Sequence, residues 1–438
     1  MSRQTAKDRH GSSSSRRTVE SYYSWLVVVL SLVIASLSFG AVTSIPILML
    51  PMVEDLGWMR STLGLAHALA MIGAGAMGIV IGYLADRCSF ALLSIIAGLA
   101  VGIGLWLSSR AVVPWQMYAS YAILVGALGQ GALFGPITAN VSHWFDRNRS
   151  LAMAIVLCGQ SVGGLTVPVA LREFAEVWGW REAMATYGVI CTVVILICSL
   201  VFLRTPPLKF DAANGPSVRI DHFNALQKRT FLLVAVALFL HNMGSFIVIA
   251  HLVAYGEEQG LSPTLGASLL AMLLGVTLIS RIFGGYLIDK KRHRLVLLTC
   301  TIMSAVGALM LSLGAGVFPL MIVGALIFGL GYGGVIPGLV SIIRSTFHSS
   351  VAGMWISAMF MFGFLAAASG SWVGGLMRDK AGDYLSPFLL SFTLTVMSFL
   401  LILKFIRGSY GTNHSVMDAV VAVKEGPVGP QSENDGNY

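Results

Sequence analysis

Twelve apolar runs, each twenty residues or longer, follow one another through this chain, and no other feature restricts its fold as much. They fall at about 22–50, 61–84, 90–109, 114–140, 150–172, 182–203, 230–256, 262–288, 295–314, 318–343, 350–377 and 384–406. A helix rises about 1.5 Å per residue, so a run of roughly 20 apolar residues crosses the hydrocarbon of a bilayer. Lipid offers no partner for an open backbone group, and a helix satisfies its own. The first run is longer than a span needs, and Pro46 and Pro51 are expected to end its helix. Of 438 residues, 11% are charged, too few to cover a water-facing surface. A soluble globular protein, a disordered chain and a disulfide-framed secreted domain are thereby excluded. The five cysteines (Cys88, Cys158, Cys191, Cys198, Cys300) are scattered and read as small apolar fillers.

The polar segments organise the spans. Residues 1–21 read as a disordered cytoplasmic tail and 407–438 as a second one. The first is no signal peptide, because the apolar run after it is too long and no small-residue cleavage site closes it. Residues 204–229, with Pro206, Pro207 and Pro216, form the longest interruption and divide the chain into six-span halves, 22–203 and 230–406. With both termini in the cytoplasm, that side collects 21 Lys and Arg and the other side 6. This is the bias that sets membrane orientation, and it also explains the net charge of +8 without a nucleic acid partner.

The halves repeat. Gly82-Tyr83-Leu84-Ala85-Asp86-Arg87 closes the second span and Gly285-Tyr286-Leu287-Ile288-Asp289-Lys290 the eighth, 203 residues apart. Parallel six-span repeats are a transporter architecture. These two segments resemble the loop signature of the major facilitator superfamily. The resemblance covers about 22–406 and implies an all-α, twelve-helix membrane fold in two six-helix halves. Gly82, Asp86, Arg87, Gly285, Asp289 and Lys290 would then latch helix ends during gating. A narrower resemblance lies in Trp144-Phe145-Asp146-Arg147-Asn148-Arg149-Ser150-Leu151-Ala152, in Trp178-Gly179-Trp180-Arg181 and in Leu56-Gly57-Trp58. These are similar to motifs of monocarboxylate porters and oxalate/formate exchangers. The acidic, Gly-rich start of span one found in animal monocarboxylate porters is absent; Tyr22-Tyr23-Ser24-Trp25 stands there.

The one cation that the count of Lys and Arg leaves over is Arg281, inside span eight. Arg281 lies eight residues before Asp289, about 12 Å along a helix. All 20 Asp and Glu are assigned to the polar segments, so none is left to pair with it. A guanidinium in hydrocarbon is costly and marks a functional site, and its planar fork matches a carboxylate. The other reading is a hydrated, structural Arg. The resemblance implies that a span-eight Arg holds the substrate carboxylate; one turn earlier stands Thr277, where some porters carry Asp or Asn. Span eleven has no Lys or Arg, the second cation that dicarboxylate exchangers of the group use, so one carboxylate suits the site better than two.

Tyr332 and Tyr121 are candidates for the second carboxylate oxygen, and Asn242 for a further contact. Gln130, Asn140, Gln160 and Trp355 read as polar packing between helices. Among the span histidines His67, His241 and His251, the mid-span His241 is the first candidate proton carrier and His67 the second. No phosphate loop, zinc motif or catalytic triad is found, so an enzyme and an ATP-driven pump lack support. The expectation is therefore a secondary transporter of a small organic anion, most simply a proton-linked monocarboxylate symporter. It would be a plasma-membrane protein (inner membrane in a bacterium), acting as a monomer without cofactor or metal. An anion exchanger, an exporter of amphiphiles and a non-transporting sensor are the alternatives.

Overall fold

The computed structural model describes residues 21–85, 89–133, 135–145, 148–204, 225–290, 292–347 and 349–424. Among them there is no strand. The first three helices are α1 (Tyr22–Leu56), α2 (Arg60–Ala85) and α3 (Phe90–Ser109). Helix α4 starts as Pro114–Ala119, widens to i+5 hydrogen bonding over Ser120–Gln130, and continues through Gly131–Leu133 and Gly135–Ser142. A 53-residue apolar stretch, Leu151–Leu203, follows. At about 1.5 Å per residue it would be more than twice the thickness of the hydrocarbon. It turns back at Gly179, whose φ of 82° and ψ of 159° lie outside the range of side-chain-bearing residues. We therefore number it as two helices, α5 (149–178) and α6 (180–203). The second half holds α7 (Ala225–Glu258), α8 (Pro263–Asp289), α9 (His293–Leu313), α10 (Phe318–Thr346), α11 (Ser349–Ala381) and α12 (Leu385–Lys424). Among the described residues, eleven stretches are long and apolar enough to cross a membrane, and the turn at Gly179 makes the spans twelve.

Two boundaries differ from the sequence expectation. Pro46 and Pro51 do not end α1; both lie inside it, and Gly57 at φ 66° caps it instead. A proline removes one ladder hydrogen bond, and a helix held on all sides by other helices survives that loss. Pro46 is fully surrounded, in a stretch buried from Ser38 to Met49. Helix α7 begins at Ala225, inside the stretch read as a linker. The tail 1–20, Asp86 and Arg87 lie outside the described residues, as does the side chain of Asp289, while Gly82 lies in α2.

Large apolar side chains face outward on many spans; on α8, Ile279, Ile282 and Phe283 are each at least 60% exposed. In a bilayer that surface belongs to lipid. Inward faces are small. A Cβ on Gly307 of α9 would stand 2.5 Å from Phe328 N of α10, so only glycine lets these helices approach so closely.

The halves, α1–α6 and α7–α12, meet most closely at the end where α1 turns into α2, here the Arg60 end. Arg172 of α5 donates from Nε to Glu257 Oε1 (2.9 Å) and from Nη2 to Glu257 Oε2 (2.5 Å) on α7. Glu258 takes Arg60 of α2 on one oxygen and Arg378 of α11 on the other, Arg378 Nη2 at 2.8 Å. The backbone N–H groups of Arg60 and Ser61 donate to Asp379 at 3.2 and 2.8 Å. Sequence placed these charges in outer loops. They lie instead in the terminal turns of helices, and Arg172 is buried within α5. A charge can enter a membrane helix when a partner from the facing half neutralises it.

Candidate functional site

Arg281 of α8 lies much nearer the opposite, Lys290 end. Its environment is built by a break in α5. At Cys158 the helix tightens, and the Ser161 N–H turns to Cys158 O at 2.9 Å, one residue short of the i−4 register. The Leu157 carbonyl is thereby released, and Arg281 Nη1 donates to it at 3.0 Å. Arg281 Nη2 reaches Gln160 Oε1 at 3.5 Å. Both contacts cross from the second half to the first. Among the described residues Arg281 forms no ion pair, in agreement with the count of acids. Five N–H groups point from a guanidinium, and two are spent on neutral oxygens. The residue is half-buried.

Thr277 sits one turn away but faces a different partner. Its hydroxyl donates to Leu274 O at 2.6 Å, so the Ser161 hydroxyl at 2.7 Å must be the donor to Thr277 Oγ1. That bond joins α5 to α8 just beyond Arg281 toward the Arg60 end. Tyr332 of α10 is nearly enclosed and within electrostatic reach of Arg281. Its ring stacks on His241 of α7, centroids 6.2 Å apart and planes 15° from parallel. Both His241 ring nitrogens are buried without a protein partner. Beside it, Asn242 Nδ2 donates to Gly363 O of α11 at 3.4 Å, and its Oδ1 has no protein partner. Tyr332 is thus tied to two of the candidates, stacking on His241 and feeling the charge of Arg281, while Gln160 touches Arg281 and Asn242 follows His241 in α7.

Tyr121 is placed elsewhere. It is fully buried in the first half, with its hydroxyl 2.6 Å from Ser44 Oγ. Gln130 accepts from Ser38 Oγ at 2.5 Å and also ties α4 to α1. Trp355 packs between Phe231 and Phe347. Asn140 Nδ2 is buried without a protein partner. Of the loop signature, Gly285 lies in α8, and Lys290 just past its end, over the Tyr286 ring at 4.4 Å.

The narrower motifs are clamps within the first half. Trp144 packs on Tyr23 and Phe145 on Trp25, so the aromatic start of α1 is the partner of the motif after span four. Trp180 Nε1 donates to Asp55 at 3.1 Å, and Arg181 joins the same carboxylate at 3.0 Å while donating to Ser109 O at 2.9 Å. The turn at Gly179 is thereby pinned to the ends of α1 and α3. Sequence reasoning missed Leu157 and Ser161 and the pairing of the interlocking charges. Glu257-Glu258 at the close of an apolar run was the one visible signal, and nothing in the spacing names their partners.

A family model described as Major Facilitator Superfamily matches residues 30–295 and 234–419. The chain belongs to this superfamily. Relatives of this major facilitator include the MFS transporter asaE of Aspergillus flavus, 26% identical over 368 residues that make up 82% of this chain and 81% of that one. Monocarboxylate transporter 11 of Mus musculus is 25% identical over 387 residues, 84% of each chain. Among solved structures, a bacterial homolog of the human lysosomal transporter Spinster superposes with a TM-score of 0.72. It is 16% identical, and the match covers 89% of this chain and 98% of that one, a likeness of fold. The protein is therefore a multi-pass membrane protein with the fold of a transporter of small molecules.

Proposed function

We propose that the protein carries a small organic anion, a monocarboxylate, across the membrane by alternating access, with a proton moving alongside it. The observation that supports this reading is Arg281, an intramembrane guanidinium with no acidic partner among the described residues and three N–H groups unspent. A carboxylate would take the place of the missing counter-charge and complete a bidentate pair. Tyr332 would offer its hydroxyl, and the flat His241–Tyr332 stack would wall the remainder of the acid. The 25% identity to a monocarboxylate transporter is in keeping with this cargo.

The charge bias between the two sides puts the Lys290 end and both termini in the cytoplasm and the Arg60 end outside, in the plasma membrane or, in a bacterium, the inner one. The ion pairs then close the outer end, and Arg281 is reached from within. Rocking of the halves would break those pairs and present Arg281 to the other side. An anion bound there neutralises the guanidinium and lowers the cost of reorienting it.

The test is uptake of radiolabelled monocarboxylates such as lactate, pyruvate and benzoate into proteoliposomes with an imposed pH gradient. Saturable, gradient-driven uptake that is lost in Arg281→Ala is the expected result. Uptake that needs a preloaded anion and ignores the gradient makes the protein an exchanger. Wild-type affinity in Arg281→Ala, or transport restricted to large uncharged amphiphiles, overturns the assignment.

A further inference from the structure

Two of the three span histidines converge on one serine. His67 of α2 holds Nδ1 2.8 Å from Ser371 Oγ of α11. His251 of α7 holds Nε2 2.9 Å from the backbone oxygen of the same residue. A carbonyl can only accept, so His251 carries its proton on Nε2 and leaves Nδ1 with a bare lone pair. That nitrogen is buried without a protein partner, and so is His67 Nε2. Both rings are fully enclosed. The approach is tight: a Cβ on Gly64 would stand 2.6 Å from Ser371 O, and one on Gly374 would stand 2.8 Å from His251 Cδ2.

Among the described residues, the surroundings supply no counter-charge that is not already engaged. Arg60 and Asp379 act on His251 across α2 and α11, but Arg60 is paired with Glu258, and Asp379 accepts the N–H groups of Arg60 and Ser61. Arg378 is paired with Glu258, and Glu257 with Arg172. Glu54 and Glu176 lie farther out, beside Glu257. The Tyr384 ring lies 5.8 Å from His251, and Phe246 stacks on His67 at 6.2 Å. Two neutral rings with unspent lone pairs are thus sealed just inside an already balanced ion-pair layer.

We propose that His67 and His251 form the proton-binding site of the carrier, loaded when the Arg60 end is open and separate from the anion site at Arg281. The inference rests on the alternating-access reading above and deepens it by naming where the coupled ion binds. His67 lies seven residues after Arg60 in α2 and His251 seven residues before Glu258 in α7, each about 10 Å deep, whereas Arg281 lies eighteen residues along α8, about 27 Å deep. Proton and anion would be coupled through the motion of the halves, without touching.

The sign of the coupling follows from geometry. The His67–Ser371 bond joins the halves and breaks when the Arg60 end opens. In the closed state both rings are dry, and a charge there is costly. In the open state water reaches them and a charge there costs less. The proton therefore binds the open state better, and by linkage low pH favours opening at the Arg60 end while higher pH favours closure.

The experiment measures that opening without any substrate. Spin labels on cysteines at Val112 and Leu313, which are exposed at the Arg60 end of either half, report their separation in proteoliposomes, with the five native cysteines replaced. Between pH 8 and pH 5 the distance distribution should shift toward longer values. His67→Gln and His251→Gln should each flatten that response, and His241→Gln should retain it. Ser371→Ala, which leaves both rings in place, should keep the response with a displaced midpoint, so the result does not depend on one variant folding.

A wild-type distance that ignores pH overturns the proposal. So does a full response in both histidine variants, which would move the titration to Glu258 or Asp379. Loss in His241→Gln alone would move it to His241. Because no anion is present, a failed cargo assignment leaves this response intact, and a failed response leaves Arg281-dependent uptake intact.

Discussion

Arg172 and Glu257 meet across the interface of the two halves as a two-pronged pair, 7% and 6% exposed, near the end of the bundle that Arg60, Glu258 and Arg378 also close. A buried pair of this kind is weak evidence of net stability, but removing one partner strands the other as an uncompensated charge.

Arg172→Ala is therefore expected to weaken closure at the Arg60 end by about 3–5 kcal/mol. The spin-label distance between Val112 and Leu313 should lengthen at every pH. Adding Glu257→Ala should restore part of the closed population, since neither charge is then stranded. A double variant no more closed than the single one would show that the pair acts by shape alone.

Arg281→Lys keeps the charge and loses the fork. Losing one charge-assisted hydrogen bond costs about 1.5–3 kcal/mol, so kcat/KM for a monocarboxylate should fall roughly 10- to 100-fold. Uptake kinetics in proteoliposomes decide it, and parity with the wild type would mean that a point charge suffices.

Tyr121→Phe removes the hydroxyl that contacts Ser44. Stability should drop by about 1 kcal/mol while the KM for the anion stays unchanged, because that hydroxyl is already occupied inside the first half. A raised KM would return Tyr121 to the binding site.

Gly64→Val adds bulk where even a single Cβ would meet Ser371 O at 2.6 Å. The partner atom is backbone and cannot swing aside. The variant should reach the membrane normally yet hold the Arg60 end apart and transport poorly. A wild-type distance distribution would show that α2 and α11 can slide to make room.

What was legible in the sequence is what one chain segment determines by itself. A run of about twenty apolar residues must be a spanning helix because lipid leaves the backbone no other partner. That reasoning sets the spans to within a few residues at Phe90–Ser109 and Phe318–Thr346. Proline was misjudged in α1 for the same reason in reverse: its effect depends on neighbours, and the neighbours of Pro46 hold the helix. Counting acids was enough to single out Arg281, since a charge balance needs no geometry.

Pairing needs geometry. Nothing in the order of residues tells that Arg172 reaches Glu257, that a tightened turn at Cys158 frees the Leu157 carbonyl for Arg281, or that His67 and His251 share Ser371. These partners lie 85, 124, 304 and 120 residues apart in the chain. Hydropathy says that a side chain is in the membrane; only the docking of one half on the other decides whether its hydrogen bonds are met by protein or left for a ligand.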